Sequence, residues 1–254
     1  MAIILWVSVC IFGSDKAALE KRETKRFASE KMAQDSSYNE YIQDLYYSAR
    51  LDSAGLNEFV FEKALTGYLN LKYSGRLQSK SILTIADFDQ ESCKKRLYII
   101  DLDKKKLLIN TWVAHGQNSG GDKPDAFSNV QNSNQSSIGF YLTAETYYGK
   151  HGRSLKLDGM DQGFNSNARE RAIVVHGADY VCQETINQLG RLGRSQGCPA
   201  VPSKLSDLII NTISDRTVLF INKTQPTYRS NYLNETLAAN MVPATTKLLA
   251  AQMD

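Results

Sequence analysis

The chain is poor in histidine and cysteine, with three and four residues in 254. No two cysteines are spaced as CxxC and none as CxxH, which excludes a zinc-finger module, and four are too few to staple a chain of this length as a disulfide scaffold. His115, His151 and His176 lack the HxxxH or HxH spacing that puts two metal ligands on one element. That counts against a zinc peptidase, and no metal or other cofactor is expected. Charge of one sign is also missing: 30 basic residues face 27 acidic ones, a net of +3, so there is no electrostatic case for nucleic acid. No apolar run is long enough to cross a bilayer, and no repeat or low-complexity tract appears.

Hydrophobic residues make up 42% of the chain, enough for a sizeable core and incompatible with disorder throughout. The length suits one large domain with an appendage. Residues 1–14 form a short apolar stretch matching a signal-peptide h-region, although the basic n-region is missing. Export to the periplasm or cell envelope is the expectation, and a buried helix is the alternative. Residues 15–35 are charge-dense and read as a solvated helix or linker. Within 36–78, Tyr41, Leu45, Tyr46, Leu56, Phe59, Val60, Ala64, Tyr68 and Leu71 fall at helical spacing around the break at 52–55, which predicts a helical hairpin.

From residue 79 to 225 the pattern changes to short β-rich runs at 82–86, 97–102, 107–113, 139–143, 154–157, 172–175 and 217–221, with a hairpin turn at 103–106. Several strands with few helices between them predict a mainly β domain, a sandwich or barrel. A helix is expected after Pro202, and the tail from 226 to 254 carries no firm period beyond a closing helix at 238–252. Two long polar loops, 114–137 and 158–169, exceed what a simple connection needs.

The chemistry concentrates in two places. The run Ile173-Val174-Val175 delivers His176 and Gly177 at the end of a strand, and the turn Ser195-Gln196-Gly197-Cys198 presents a thiol with Pro199 behind it. A thiolate is the nucleophilic form of cysteine, and an imidazole that takes its proton raises its reactivity. Glycine at 197 lets a carbonyl approach the backbone, so the N–H groups of Gly197 and Cys198 are the candidate oxyanion hole. Arg194 either binds a substrate carboxylate through its fork or caps the turn. Tyr141, Tyr148 and His151 either line the cleft or pack on the sheet. Because the histidine precedes the cysteine in the chain, a papain-like arrangement is disfavoured.

His176-Gly177 followed by Ser195-x-Gly197-Cys198 resembles the signature of the L,D-transpeptidase catalytic domain, the cysteine acyltransferases of bacterial peptidoglycan. The chain departs from the usual form at Gln196, where a second histidine stands, and at Ala200, where Asn or Arg stands. The form Gly193-Arg194-Ser195-x-Gly197-Cys198-Pro199-Ala200, with 137–143 and Tyr148-Gly149-Lys150-His151-Gly152, is similar to a divergent murein L,D-transpeptidase branch. The resemblance implies an L,D-transpeptidase-type β-sandwich or barrel with an N-terminal helical segment. It also implies a transpeptidase or carboxypeptidase acting on stem tetrapeptides through a cysteine thioester, with Cys198 as nucleophile, His176 as base and Gly177 orienting the ring. Ser195, Asn165 and Arg169 fall near the substrate on the same grounds, with surface turns as the alternative for the last two. Peptidoglycan stem peptides are the implied partner, and an inactive peptidoglycan-binding scaffold of the same fold is the competing reading.

Overall fold

A computed structural model describes residues 12–242 of the chain, so the stretch expected to be a signal h-region lies largely outside the described residues. The chain divides into two compact units, one comprising residues 1–41 and 242–254 and the other residues 42–241. Of the first, the described part is the helix α1, Phe12–Ser48, whose last residues belong to the second unit. The charged segment 15–35 is therefore helical and continuous with the first arm of the predicted hairpin. No described helix is long and apolar enough to cross a membrane.

The second unit is built on one eight-stranded mixed sheet. In chain order its strands are β1 (Ile82–Asp87), β2 (Leu97–Asp101), β3 (Lys106–Thr111), β4 (Gly139–Gly149), β5 (Gly152–Gly159), β6 (Val174–Ala178), β7 (Ala200–Pro202) and β8 (Val218–Asn222). Their order across the sheet is β3-β2-β1-β8-β4-β5-β6-β7, with β1–β8 and β6–β7 parallel and the other pairs antiparallel. The continuous apolar runs of β1, β2 and β8 are buried throughout, as strands covered on both faces must be. Helix α2 (Glu58–Tyr73), capped by Asn57, packs on β1 and β8, while α4 (Ser206–Ile213) packs on β1, β5 and β6. Of the predicted hairpin stripe, Leu45, Tyr46, Leu56, Val60, Ala64, Tyr68 and Leu71 are buried and Phe59 is 78% exposed.

The sheet's two edges are brought together. After β3 the chain runs on so that Ala114 bridges Ala200 of β7 and Gly116 bridges Ser195. The sheet is thereby curled into a nearly closed barrel, and the turn 195–198 lies at the seam. Two further helices are short, α3 (Gln183–Leu189) and α5 (Glu235–Ala239). Residues 226–241 belong to this body: Asn70 donates to the carbonyls of Tyr232 and Asn234 at 2.8 and 2.9 Å, and Tyr228 and Ser230 donate to Asp161 at 2.8 and 2.5 Å.

Candidate active site

Strand β6 pairs in parallel with β7, setting His176 opposite Ala200, two residues beyond Cys198. His176 is 3% exposed, and its Nδ1 lies 2.9 Å from the carbonyl of Gly177. A carbonyl only accepts, so the proton is on Nδ1 and the Nε2 lone pair is left to act as a base. The ring of His151, from the β4–β5 turn, stacks on that of His176 with centroids 4.4 Å apart. Burial pushes the His176 pKa down; the Gly177 carbonyl opposes this, while the neighbouring His151 and Lys150 add to it.

Cys198 is half-buried and free, as are Cys93 and Cys182, so the latter two form no disulfide with each other. Its thiol points to the carbonyl of Ala172 at 3.8 Å, so the resting S–H is directed at the backbone rather than at His176. Burial pushes this thiol up, while the Val174 N–H and the charges of Arg171 and Lys150 pull it back down. Tyr180, pushed up to about 12 by burial, also feels the charge of Cys198. Burial thus favours the uncharged form of both groups, the thiol being raised and the imidazole lowered.

The turn that holds the thiol is stapled by Ser195. Its hydroxyl donates to the Cys198 carbonyl at 2.6 Å and accepts from the Gly197 N–H at 3.0 Å, while its own N–H donates to the His115 carbonyl at 2.9 Å. The Ser195 hydroxyl is thus engaged within the turn, where it acts as a clasp. The Gly197 N–H is likewise occupied, which leaves only the Cys198 N–H of the two expected oxyanion donors.

For most of the other expected site residues the side chain is packed or bonded within the protein. Tyr141 has no exposed surface and its hydroxyl is held by Ser137, so it packs inside the sheet and lines no cleft. Asn165 is equally buried and bonds the Phe140 carbonyl and the Asp161 N–H at 2.9 and 2.8 Å, which makes it a loop anchor. Arg169 is bound to Asp158 and Glu145, so its fork is spent on two carboxylates. Arg194 donates to the carbonyls of Gln117 and Gly120, so it ties the nucleophile turn to the short helical turn at 117–119. Tyr148 is 83% exposed. Arg171 and Tyr180 also act on the thiol and have no signal in the sequence, since nothing in their spacing separates them from other loop residues, whereas Lys150 belongs to the 148–152 motif.

The three histidines do not gather. His115 is buried, and Arg96 donates to its Nδ1 at 2.8 Å. Among the described residues, the one group of three metal-ligating side chains with converging atoms is Glu91, Cys93 and Asp122, in which Asp122 Oδ1 already accepts from the N–H and hydroxyl of Ser92.

Burial holds His115 down to about 4, and the charge of Arg96 adds to the effect. Above the unfolded value of about 6.5 neither state is protonated, and the group costs nothing. As pH falls through that value the unfolded chain takes up a proton the folded one refuses, so stability is lost until the folded value is reached. Between pH 7.5 and 4.5 the loss is expected to be roughly 2 to 3 kcal/mol. Urea unfolding at the two pH values checks it: His115→Gln, which keeps an acceptor for Arg96, is expected to lose less stability on acidification than the parent by that amount.

Taken together, these elements define a mainly β domain that carries a thiol and an imidazole at the seam of a curled sheet. The chain belongs to the L,D-transpeptidase catalytic domain family, whose model matches residues 52–222. It is similar to a solved L,D-transpeptidase from Mycobacterium smegmatis, with 10% identity, 57% of this chain and 60% of that one covered, and a TM-score of 0.36. The match thus spans 60% of the mycobacterial structure's length. It is also similar to an L,D-transpeptidase from Xylanimonas cellulosilytica, with 11% identity, 71% and 93% covered and a TM-score of 0.35. A third similar structure is the helical cell shape determining protein Pgp2 from Campylobacter jejuni, with 12% identity, 73% and 64% covered and a TM-score of 0.39. No curated protein sequence matches the chain.

Proposed function

We propose that the chain is an exported peptidoglycan L,D-transpeptidase or L,D-carboxypeptidase of the cell envelope, working through a thioester on Cys198. The observation that carries this reading is a half-buried free thiol on a tight glycine turn, one strand away from a neutral histidine whose Nε2 is available as a base. Membership of the family supplies the substrate class.

In this reading the Cys198 thiol turns from the Ala172 carbonyl and attacks the amide carbonyl that follows the L-centre of the diamino acid in a stem tetrapeptide. The Nε2 of His176 takes the thiol proton and returns it to the departing amine of the terminal D-residue. The Gly177 carbonyl holds the ring and stabilises the imidazolium that forms. The developing oxyanion is met by the Cys198 N–H. An amine from a neighbouring stem, or water, then attacks the thioester and frees the sulfur.

Two observations favour a second reading, an inactive peptidoglycan-binding scaffold: the thiol is directed at Ala172 rather than at the imidazole, and an exposed Gln196 stands where the family has its second histidine. Incubation with tetrapeptide muropeptides followed by mass spectrometry separates the two. Loss of the terminal D-residue or a crosslinked dimer is the expected result; neither product, with Cys198 unreactive to iodoacetamide, leaves the scaffold.

A further inference from the structure

We propose that Arg171 is a positioning residue for the nucleophile: its fork clamps the 128–137 loop beside Gly197, and its unneutralised charge favours the thiolate of Cys198. The inference rests on Cys198 being the nucleophile.

Arg171 ends the polar loop that precedes β6. One guanidinium nitrogen donates to the Ser128 carbonyl at 2.5 Å and to Ser137 Oγ at 3.1 Å, and the other donates to the Gln135 carbonyl at 2.6 Å and to Ser133 Oγ at 3.2 Å. Four points of one loop are thus fixed by one planar group, a task that suits a fork and not a point charge. The clamped loop bears directly on the nucleophile turn. A Cβ built on Gly197 would lie 2.8 Å from the Gln135 oxygen and 3.4 Å from the Arg171 nitrogen that binds it. The guanidinium therefore stands beside the α-carbon that precedes Cys198.

The second part concerns charge. Every bonded partner of the Arg171 fork is neutral, whereas Arg169, two residues earlier, is shared between Asp158 and Glu145. An arginine without a carboxylate keeps its field for whatever anion forms nearby. The groups that act on the Cys198 sulfur are the Val174 N–H, Arg171 and Lys150, with Tyr180 facing it from beyond β6. Of the two cations, Arg171 is the one held rigidly, because its fork is bonded at four points.

The test is the pH profile of Cys198 alkylation by iodoacetamide, read by intact mass on the full chain, with Arg171→Met and Arg171→Lys. The methionine variant is expected to move the alkylation midpoint up by about one pH unit and slow labelling at neutral pH about tenfold. The lysine variant keeps the charge and is expected to hold the midpoint near that of the parent, while raising KM for tetrapeptide more than it lowers kcat, because the loop is no longer forked. A folded methionine variant with the parent's profile overturns the inference. Should that variant fail to fold, the lysine variant decides: an unchanged KM as well as an unchanged profile overturns it. Failure of the parent itself to alkylate at Cys198 is a different result, which removes the nucleophile reading and not the clamp alone.

Discussion

Cys198→Ala is expected to leave the protein folded and to lower turnover of tetrapeptide muropeptides by on the order of 10⁴-fold or more. The sulfur is the only atom in the proposed cycle that forms a covalent bond to substrate, so no neighbour compensates for it. Its contribution to stability is small: it is half-buried, and its thiol donates only a weak contact of 3.8 Å to the Ala172 carbonyl. The variant should therefore lose about 1 kcal/mol or less. Thermal unfolding beside product analysis by mass spectrometry reads both effects. Turnover that survives in the alanine variant would remove the thioester mechanism altogether, whatever the variant's stability.

Gly197→Ala is expected to cost about 3 kcal/mol and to lower the melting temperature by roughly 6 to 12 °C. Two effects add. The residue has φ +123°, a conformation that side chains with a Cβ rarely adopt, and the added methyl would sit 2.8 Å from the Gln135 carbonyl oxygen. That oxygen belongs to a backbone held by Arg171, so it does not swing aside as a flexible side chain would. Gly163→Ala is the internal comparison: it has φ +80° with nothing within 4 Å, and so carries the backbone effect alone. Activity in the Gly197 variant should fall further than stability, because any relief of the clash moves the adjoining Cys198. An equal cost at the two positions, measured by urea unfolding, would show that packing at the seam contributes nothing.

Much of the fold was legible because burial leaves a periodic trace. The β-branched and apolar runs that predicted seven strands are β1 to β6 and β8, with ends shifted by a few residues. Strand β7 was not legible, since three residues ending in Pro202 carry no period; it exists because His176 to Ala178 and Ala114 supply its partners. Strand β4 runs to Gly149, well past the predicted 143, because its exposed polar end is paired with β5 rather than buried. The charged segment at 15–35, read as a solvated helix or a linker, is helical, as charged residues with good helix propensity permit.

The segments that carry Cys198 and His176 were legible, since the structure sets them on neighbouring strands; their surroundings were not. Nothing local distinguishes Arg169, locked between two carboxylates, from Arg171, which faces the thiol. Nor does composition reveal that the Ser195 hydroxyl and the Gly197 N–H are spent on the turn itself.

The sequence by itself determined the strand content, the absence of metal-binding spacing, and the thiol and imidazole on their respective segments, because these depend on residue type and short-range period. Only the tertiary structure decided which residues meet: Arg171 and Gln135 across 36 positions, Ser136 and Gly197 across 61. Those contacts follow from strand register and from the curl that brings Ala114 to Ala200, a closure that sums many weak pairings along the chain and is written in no single stretch of it.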